Sequence, residues 1–141
     1  MHANQKYLSR NIKQTQKIAL NFSNEVLLNS IVYLNGVVGA GKTSFVRKVA
    51  EVFDILDITS SSFCRIQSHC GRINLVHCDI YRETVFSTQL VYELESLLVE
   101  PWLLFVEWPP SLIEIPCKSQ YIVDITIVND TDRIITINQI S

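Results

Sequence analysis

At 141 residues, with 48% hydrophobic and 18% charged side chains, the sequence is expected to form one globular domain spanning residues 1–141, not a disordered chain. Its 12 Lys plus Arg stand against 14 Asp plus Glu, with no basic run, so strong unaided nucleic-acid binding is not indicated. There is no stretch of membrane-spanning length and no apolar N-terminal core with a small-residue cleavage site, so a cytoplasmic protein is expected.

Residues 1–10 are polar, and Lys6-Tyr7-Leu8 can add an edge strand. Ser9 or Asn11 can cap a helix in which Thr15, Ile18, Ala19 and Phe22 fall at helical spacing, a face suited to packing on a sheet. A turn around Ser23–Asn29 leads into Ile31-Val32-Tyr33-Leu34, whose β-branched and aromatic residues predict a buried parallel strand.

Next comes Gly36-Val37-Val38-Gly39-Ala40-Gly41-Lys42-Thr43, which matches the G-x-x-x-x-G-K-[ST] phosphate-binding loop. Glycines let the backbone turn tightly and point its amides into a concave nest for anionic oxygens. Lys42 supplies a point charge to the β- and γ-phosphates, and the Thr43 hydroxyl is placed to ligate Mg²⁺. Phe45, Val49 and Val52 alternate with Val46, Ala50 and Phe53 at helical spacing, so a helix N-terminus faces the same phosphates. A chance match in a chain this long is roughly one in a few hundred at ordinary residue usage. A strand before and a helix after supply the context the motif requires.

Beyond Asp54–Ile58, the hydroxyl-rich Thr59-Ser60-Ser61-Ser62-Phe63 reads from composition as a solvated turn. Phe63–His69 and Ile73–Cys78 flank Cys70-Gly71-Arg72 and predict a hairpin whose second arm delivers Asp79 at its C-terminal end. Open α/β sheets bind ligands at that end of their strands. His77 is expected to be packed or bonded to backbone, and Cys64, Cys70, Cys78 and Cys117 match no zinc module and read as reduced, packed thiols.

Leu90, Leu94, Leu97 and Leu98 predict an amphipathic helix from about Ser87 to Val99, closed by Pro101. Then Trp102-Leu103-Leu104-Phe105-Val106-Glu107-Trp108 gives an apolar strand ending in an acid, the Walker B pattern. Its carboxylate would hold Mg²⁺, directly or through water, or polarise an attacking water. Pro109, Pro110 and Pro116 mark an irregular connection, and Tyr121–Val128 with Arg133–Ile140 predict a closing hairpin. The expected fold is a three-layer α/β domain of P-loop NTPase type, its mainly parallel sheet completed by antiparallel C-terminal strands.

From about Thr15 to Ile137 the chain resembles the TsaE (YjeE) family, small bacterial ATPases needed for threonylcarbamoyl modification of adenosine in tRNA. The resemblance rests on four motifs in order: Gly36–Thr43, Thr59–Phe63, His77–Arg82 and Glu107-Trp108-Pro109. It implies that Gly36, Gly39, Ala40, Gly41, Lys42, Thr43 and Ser44 bind ATP phosphates, and that Thr43 with Glu107 holds Mg²⁺. Asp79 would support the γ-phosphate, metal or attacking water, so Lys42, Asp79 and Glu107 form the implied catalytic set. Trp108 would lie at the nucleotide pocket and Arg133 would approach the nucleotide. Thr59, Ser60 and Ser62 would respond to the γ-phosphate. Turnover would serve a complex of a threonylcarbamoyl transferase subunit and its companion protein, with tRNA involved only indirectly and no membrane.

Three positions depart from the family pattern: Val37 replaces an aspartate, Ser61 a proline, and Glu83 a leucine. Three activities fit the residues. The first is a slow ATPase stimulated by partners, with Arg82 a candidate arginine finger. The second is a small-molecule kinase, which would need an acceptor pocket and a lid. The third is a nucleotide-dependent binding module with little turnover.

Overall fold

The computed structural model describes residues 4–58, 66–80, 87–107 and 111–140. Thr59–Phe63, Cys64, Arg82, Trp108 and the two prolines after it, all singled out in the sequence, lie outside these residues. The elements follow in the order β1 (Asn4–Ser9), α1 (Ile12–Glu25), β2 (Ser30–Asn35), α2 (Lys42–Val52), β3 (Ile66–Cys70), β4 (Asn74–Asp79), α3 (Thr88–Leu97), β5 (Trp102–Glu107), β6 (Gln120–Ile127) and β7 (Arg133–Gln139). They build one seven-stranded sheet of order β1-β7-β6-β2-β5-β4-β3.

The sheet has a parallel centre and antiparallel margins. β2 pairs in parallel with β5 and β6, and β5 in parallel with β4. β7 runs against both β6 and β1, and β3 runs against β4. The two ends are therefore as predicted from the hairpins, and Lys6-Tyr7-Leu8 falls within edge strand β1.

Handedness decides which layer each connection joins. β1 to β2 and β2 to β4 both move across the sheet in one direction, whereas β4 to β5 and β5 to β6 return in the other. Right-handed crossovers then require the first pair on one face and the second pair on the opposite face. The packing agrees. Residues of α1 and α2 (Ile18, Phe22, Phe45, Val49) cluster with Leu75, Leu103 and Phe105. Leu90 and Leu94 of α3, with Ile113 and Ile115, cluster with the alternate strand residues Val76, Leu104 and Val106. Central strands buried on both faces need continuous apolar runs, which β2 and β5 supply.

Local signals set the helix ends. Asn11 accepts from Gln14 N at 2.9 Å, while the Gln14 side chain accepts from Arg10 N at 2.7 Å, closing the start of α1. α3 ends at Leu97, two residues before the predicted Val99. Leu98 N donates to Glu95 O at 3.2 Å and Val99 N to Leu97 O at 3.0 Å, tightening the chain ahead of Pro101. Of the described cysteines Cys78 is buried in the α3-side core, Cys117 is half-buried, and Cys70 is exposed, departing from the expected packed thiol. Among the described residues no helix is long and apolar enough to cross a membrane.

Tyr33 fastens the irregular segment before β6. Its hydroxyl donates to Gln120 Oε1 at 2.8 Å and accepts from Ile113 N at 2.7 Å. Burial pushes its pKa up to about 12, partly offset by the Ile113 bond. The fold thus favours the neutral phenol, a contribution intact below the unfolded value of about 10 and lost as pH rises toward the folded value. Tyr33→Phe should cost about 1–3 kcal/mol at pH 7 in urea unfolding, because Ile113 N is left unpaired. The native chain should lose additional stability between about pH 10 and pH 12, and the variant should lack that component. Identical alkaline profiles would contradict the assignment.

Candidate functional site

Three strands, β2, β5 and β4, bring their carboxyl ends to one edge of the sheet. Leu34 is in register with Glu107, and Glu107 with Asp79. The chain leaves β2 through Gly36–Gly41 and enters α2 at Lys42. Gly39 and Gly41 have φ of +85° and +114°, a left-handed region costly to residues with a Cβ. Gly36 is constrained differently: a Cβ there would lie 2.8 Å from the Ile125 carbonyl oxygen of β6.

The three helices begin in different ways. Asn11 caps α1 and Ser87 caps α3 through side-chain oxygens. α2 starts at Gly41 with no side-chain cap. Its first-turn amides and the positive end of its dipole therefore face the loop concavity, where an anion can satisfy them.

Three ionisable side chains meet beneath that turn. Lys42, Glu107 and His77 are only 6%, 4% and 0% exposed. The Lys42 ammonium donates to Gly36 O and lies 3.6 Å from Glu107 Oε1. His77 Nε2 bonds the other oxygen, Glu107 Oε2. Asp79 stands beside Glu107 across the β4–β5 pairing, where Ile80 N donates to Glu107 O at 3.2 Å. Thr43 and Ser44 are half-exposed on the first turn of α2. A hydroxyl at Thr43 and carboxylates at Glu107 and Asp79 are hard oxygen donors, the chemistry that suits Mg²⁺.

Arg133, the first residue of β7, clasps the loop from outside. Its Nε donates to Ala40 O at 3.1 Å and its Nη2 reaches Gly39 O at 3.5 Å. Nη1 donates to Asn129 O at 2.7 Å and Asp132 O at 3.0 Å. A cleft of about 300 Å³ opens here, lined by Asn11, Thr15, Gly39, Ser44, Thr131 and Arg133 among others.

The structure thus brings Gly36, Gly39, Ala40, Gly41, Lys42, Thr43, Ser44, Asp79, Glu107 and Arg133 to one edge of the sheet, while Trp108 lies outside the described residues. His77 is packed, as its sequence suggested, but its bond is to a side-chain carboxylate and not to backbone. Asn11, Thr15 and Thr131 were not singled out as site residues, since the α1 start and the β6–β7 turn reach the loop only through the β1-β7-β6-β2 strand order. Alternation along β4 and β5 places His77 on the α2 side of the sheet, but only strand register reveals its partner.

The family model for threonylcarbamoyl adenosine biosynthesis protein TsaE matches residues 9–135. The tRNA threonylcarbamoyladenosine biosynthesis protein TsaE of Rickettsia prowazekii (strain Madrid E) is 34% identical over 120 residues, 75% of this chain and 81% of its own length. Its namesake from Nostoc sp. (strain PCC 7120 / SAG 25.82 / UTEX 2576) is 30% identical over 101 residues, 68% and 62% of the respective lengths. The crystal structure of Bacillus subtilus YdiB superposes with a TM-score of 0.74 at 27% identity, covering 100% of this chain and 88% of that one.

The Arg133 clasp yields a direct test. Arg133→Ala should lower stability by roughly 1–3 kcal/mol in urea unfolding, because it strips charged donors from four carbonyls. Arg133→Lys should recover little of this, since one ammonium cannot span the loop and the 129–132 turn together. Full recovery by lysine would show that charge alone matters.

Proposed function

This chain belongs to the threonylcarbamoyl adenosine biosynthesis protein TsaE family, and from that premise we propose that it binds ATP with Mg²⁺ at the Gly36–Thr43 loop and hydrolyses it. Its role is in the biosynthesis of threonylcarbamoyladenosine in tRNA. The observation that carries the ATP reading is the start of α2: a helix with no side-chain cap, entered through two left-handed glycines, with a buried lysine as its first residue. Other uses of a glycine-rich turn do not require that combination.

In this reading Lys42 exchanges the Gly36 carbonyl for the β- and γ-phosphate oxygens, while amides of Gly39–Ser44 bond the same group. Thr43 and Glu107 would hold Mg²⁺, which neutralises charge developing on the transferring phosphoryl group. Asp79, beside Glu107, orients the attacking water. Arg133 keeps the loop in shape through the Gly39 and Ala40 carbonyls, and the cleft beside it takes the nucleoside. Trp108 is assigned to the same pocket.

Partner dependence is part of this reading. Arg133 directs its guanidinium at backbone carbonyls. The reading keeps Arg82, or a side chain from another protein, as the group that stabilises the transition state. The reading assigns the partners as a threonylcarbamoyl transferase subunit and its companion, with slow turnover in their absence. A second reading, a nucleotide-dependent binding module, is favoured by one feature. Val37 and Val38 at the loop tip are 56% and 87% exposed, which suits apolar contact with a partner.

Phosphate release with purified partners distinguishes the two. The ATPase reading predicts that Lys42→Ala and Glu107→Ala each lower the rate by about 100-fold or more. ATP-sensitive association with no release above background supports the binding module. An unchanged rate in Lys42→Ala removes this site from the chemistry.

A further inference from the structure

We propose that His77 is a positioning residue of this site: it fixes the Glu107 carboxylate from below, so that the acid stays aimed when Lys42 leaves it for phosphate. The proposal rests on the nucleotide reading above and adds a residue to it.

Two donors of different character contact Glu107. Lys42 contacts Oε1 from the first turn of α2, at the end of a long flexible stem. In the proposed ATP complex that ammonium turns to the phosphates, and Glu107 loses one partner. His77 contacts Oε2 from β4, a central strand paired on both sides, by β3 and β5. The residue is fully buried, on the same sheet face as Leu75, Leu103 and Phe105. It cannot follow the lysine. Departure of a counter-charge from a buried carboxylate is costly and weakens the hold on its rotamer. The contact from a fixed ring at Oε2 opposes that loss.

The second ring nitrogen supports a one-sided role. His77 Nδ1 is buried without a hydrogen-bond partner among the described residues. In the neutral imidazole only one nitrogen donates, so the tautomer consistent with these contacts carries its proton on Nε2, toward Glu107. A lone pair, not an N–H, is then the group left unmatched. The ring's hydrogen-bonded nitrogen faces the carboxylate assigned to Mg²⁺. Outer contacts to a metal-binding carboxylate are commonly worth 10- to 100-fold in metal affinity or activity.

Two amide substitutions separate position from polarity. In His77→Gln the side-chain nitrogen reaches the place of Nε2; in His77→Asn it reaches only that of Nδ1. Calorimetry of ATP binding, with and without Mg²⁺, should show near-native metal enhancement for His77→Gln. For His77→Asn it should show a loss of about tenfold or more in that enhancement, with metal-free ATP affinity within about twofold of native. Turnover should divide the same way, with KM for ATP in the presence of Mg²⁺ rising in the asparagine variant in step with the lost affinity and staying near native in the glutamine variant. His77→Leu should match asparagine. If the asparagine and glutamine variants keep native Mg²⁺ dependence, or lose it equally, the inference is overturned and His77 is packing. If the native chain itself binds no ATP, the failure lies in the nucleotide reading instead.

Discussion

A single buried carboxylate ties the site together. Glu107 ends the central strand β5, and its two oxygens are met by the Lys42 ammonium and the His77 imidazole. A charged group this deep in the sheet edge is sustained only with partners at both oxygens. These partners come from α2 and β4, elements separated in sequence but adjacent because β2, β5 and β4 are neighbours. The phosphate-binding loop, the acid-bearing strand ends and the first turn of α2 are therefore one mechanical unit. Moving any of them disturbs the carboxylate.

The same constraint explains the layers. Crossovers that advance across the sheet put α1 and α2 on one face, and those that return put α3 and the 111–117 segment on the other. Only the first face meets the loop, so Lys42, His77 and the cleft beside Arg133 share it. Arg133 completes the arrangement from β7, bonding the loop carbonyls and its own turn. The antiparallel margin thereby supports the loop instead of merely closing the sheet.

Much of this was legible in local sequence. The apolar run Ile31–Leu34, the glycine spacing of 36, 39 and 41, and the acid terminating Trp102–Val106 each encode a short-range rule that tertiary packing did not override. Both hairpins were marked by turn residues between alternating segments. What could not be read was pairing at a distance. Nothing near His77 names Glu107, because their contact depends on β4 lying beside β5 in one register. Nothing near Asn11 or Thr131 indicates a cleft, because β1 and the β6–β7 turn reach the loop through strand order alone. The end of α3 was misplaced by two residues, since proline forbids helix only near itself and the chain had already tightened at Leu98.

The central claim is that backbone amides at the start of α2 receive a phosphate chain. Amide chemical shifts of the isotopically labelled native chain, recorded as ATP with Mg²⁺ is added, address it residue by residue. Gly39, Gly41, Lys42, Thr43 and Ser44 should move together and saturably, while the β3–β4 turn at Gly71 stays in place. Millimolar ATP that leaves those five amides unmoved in folded protein would contradict the account.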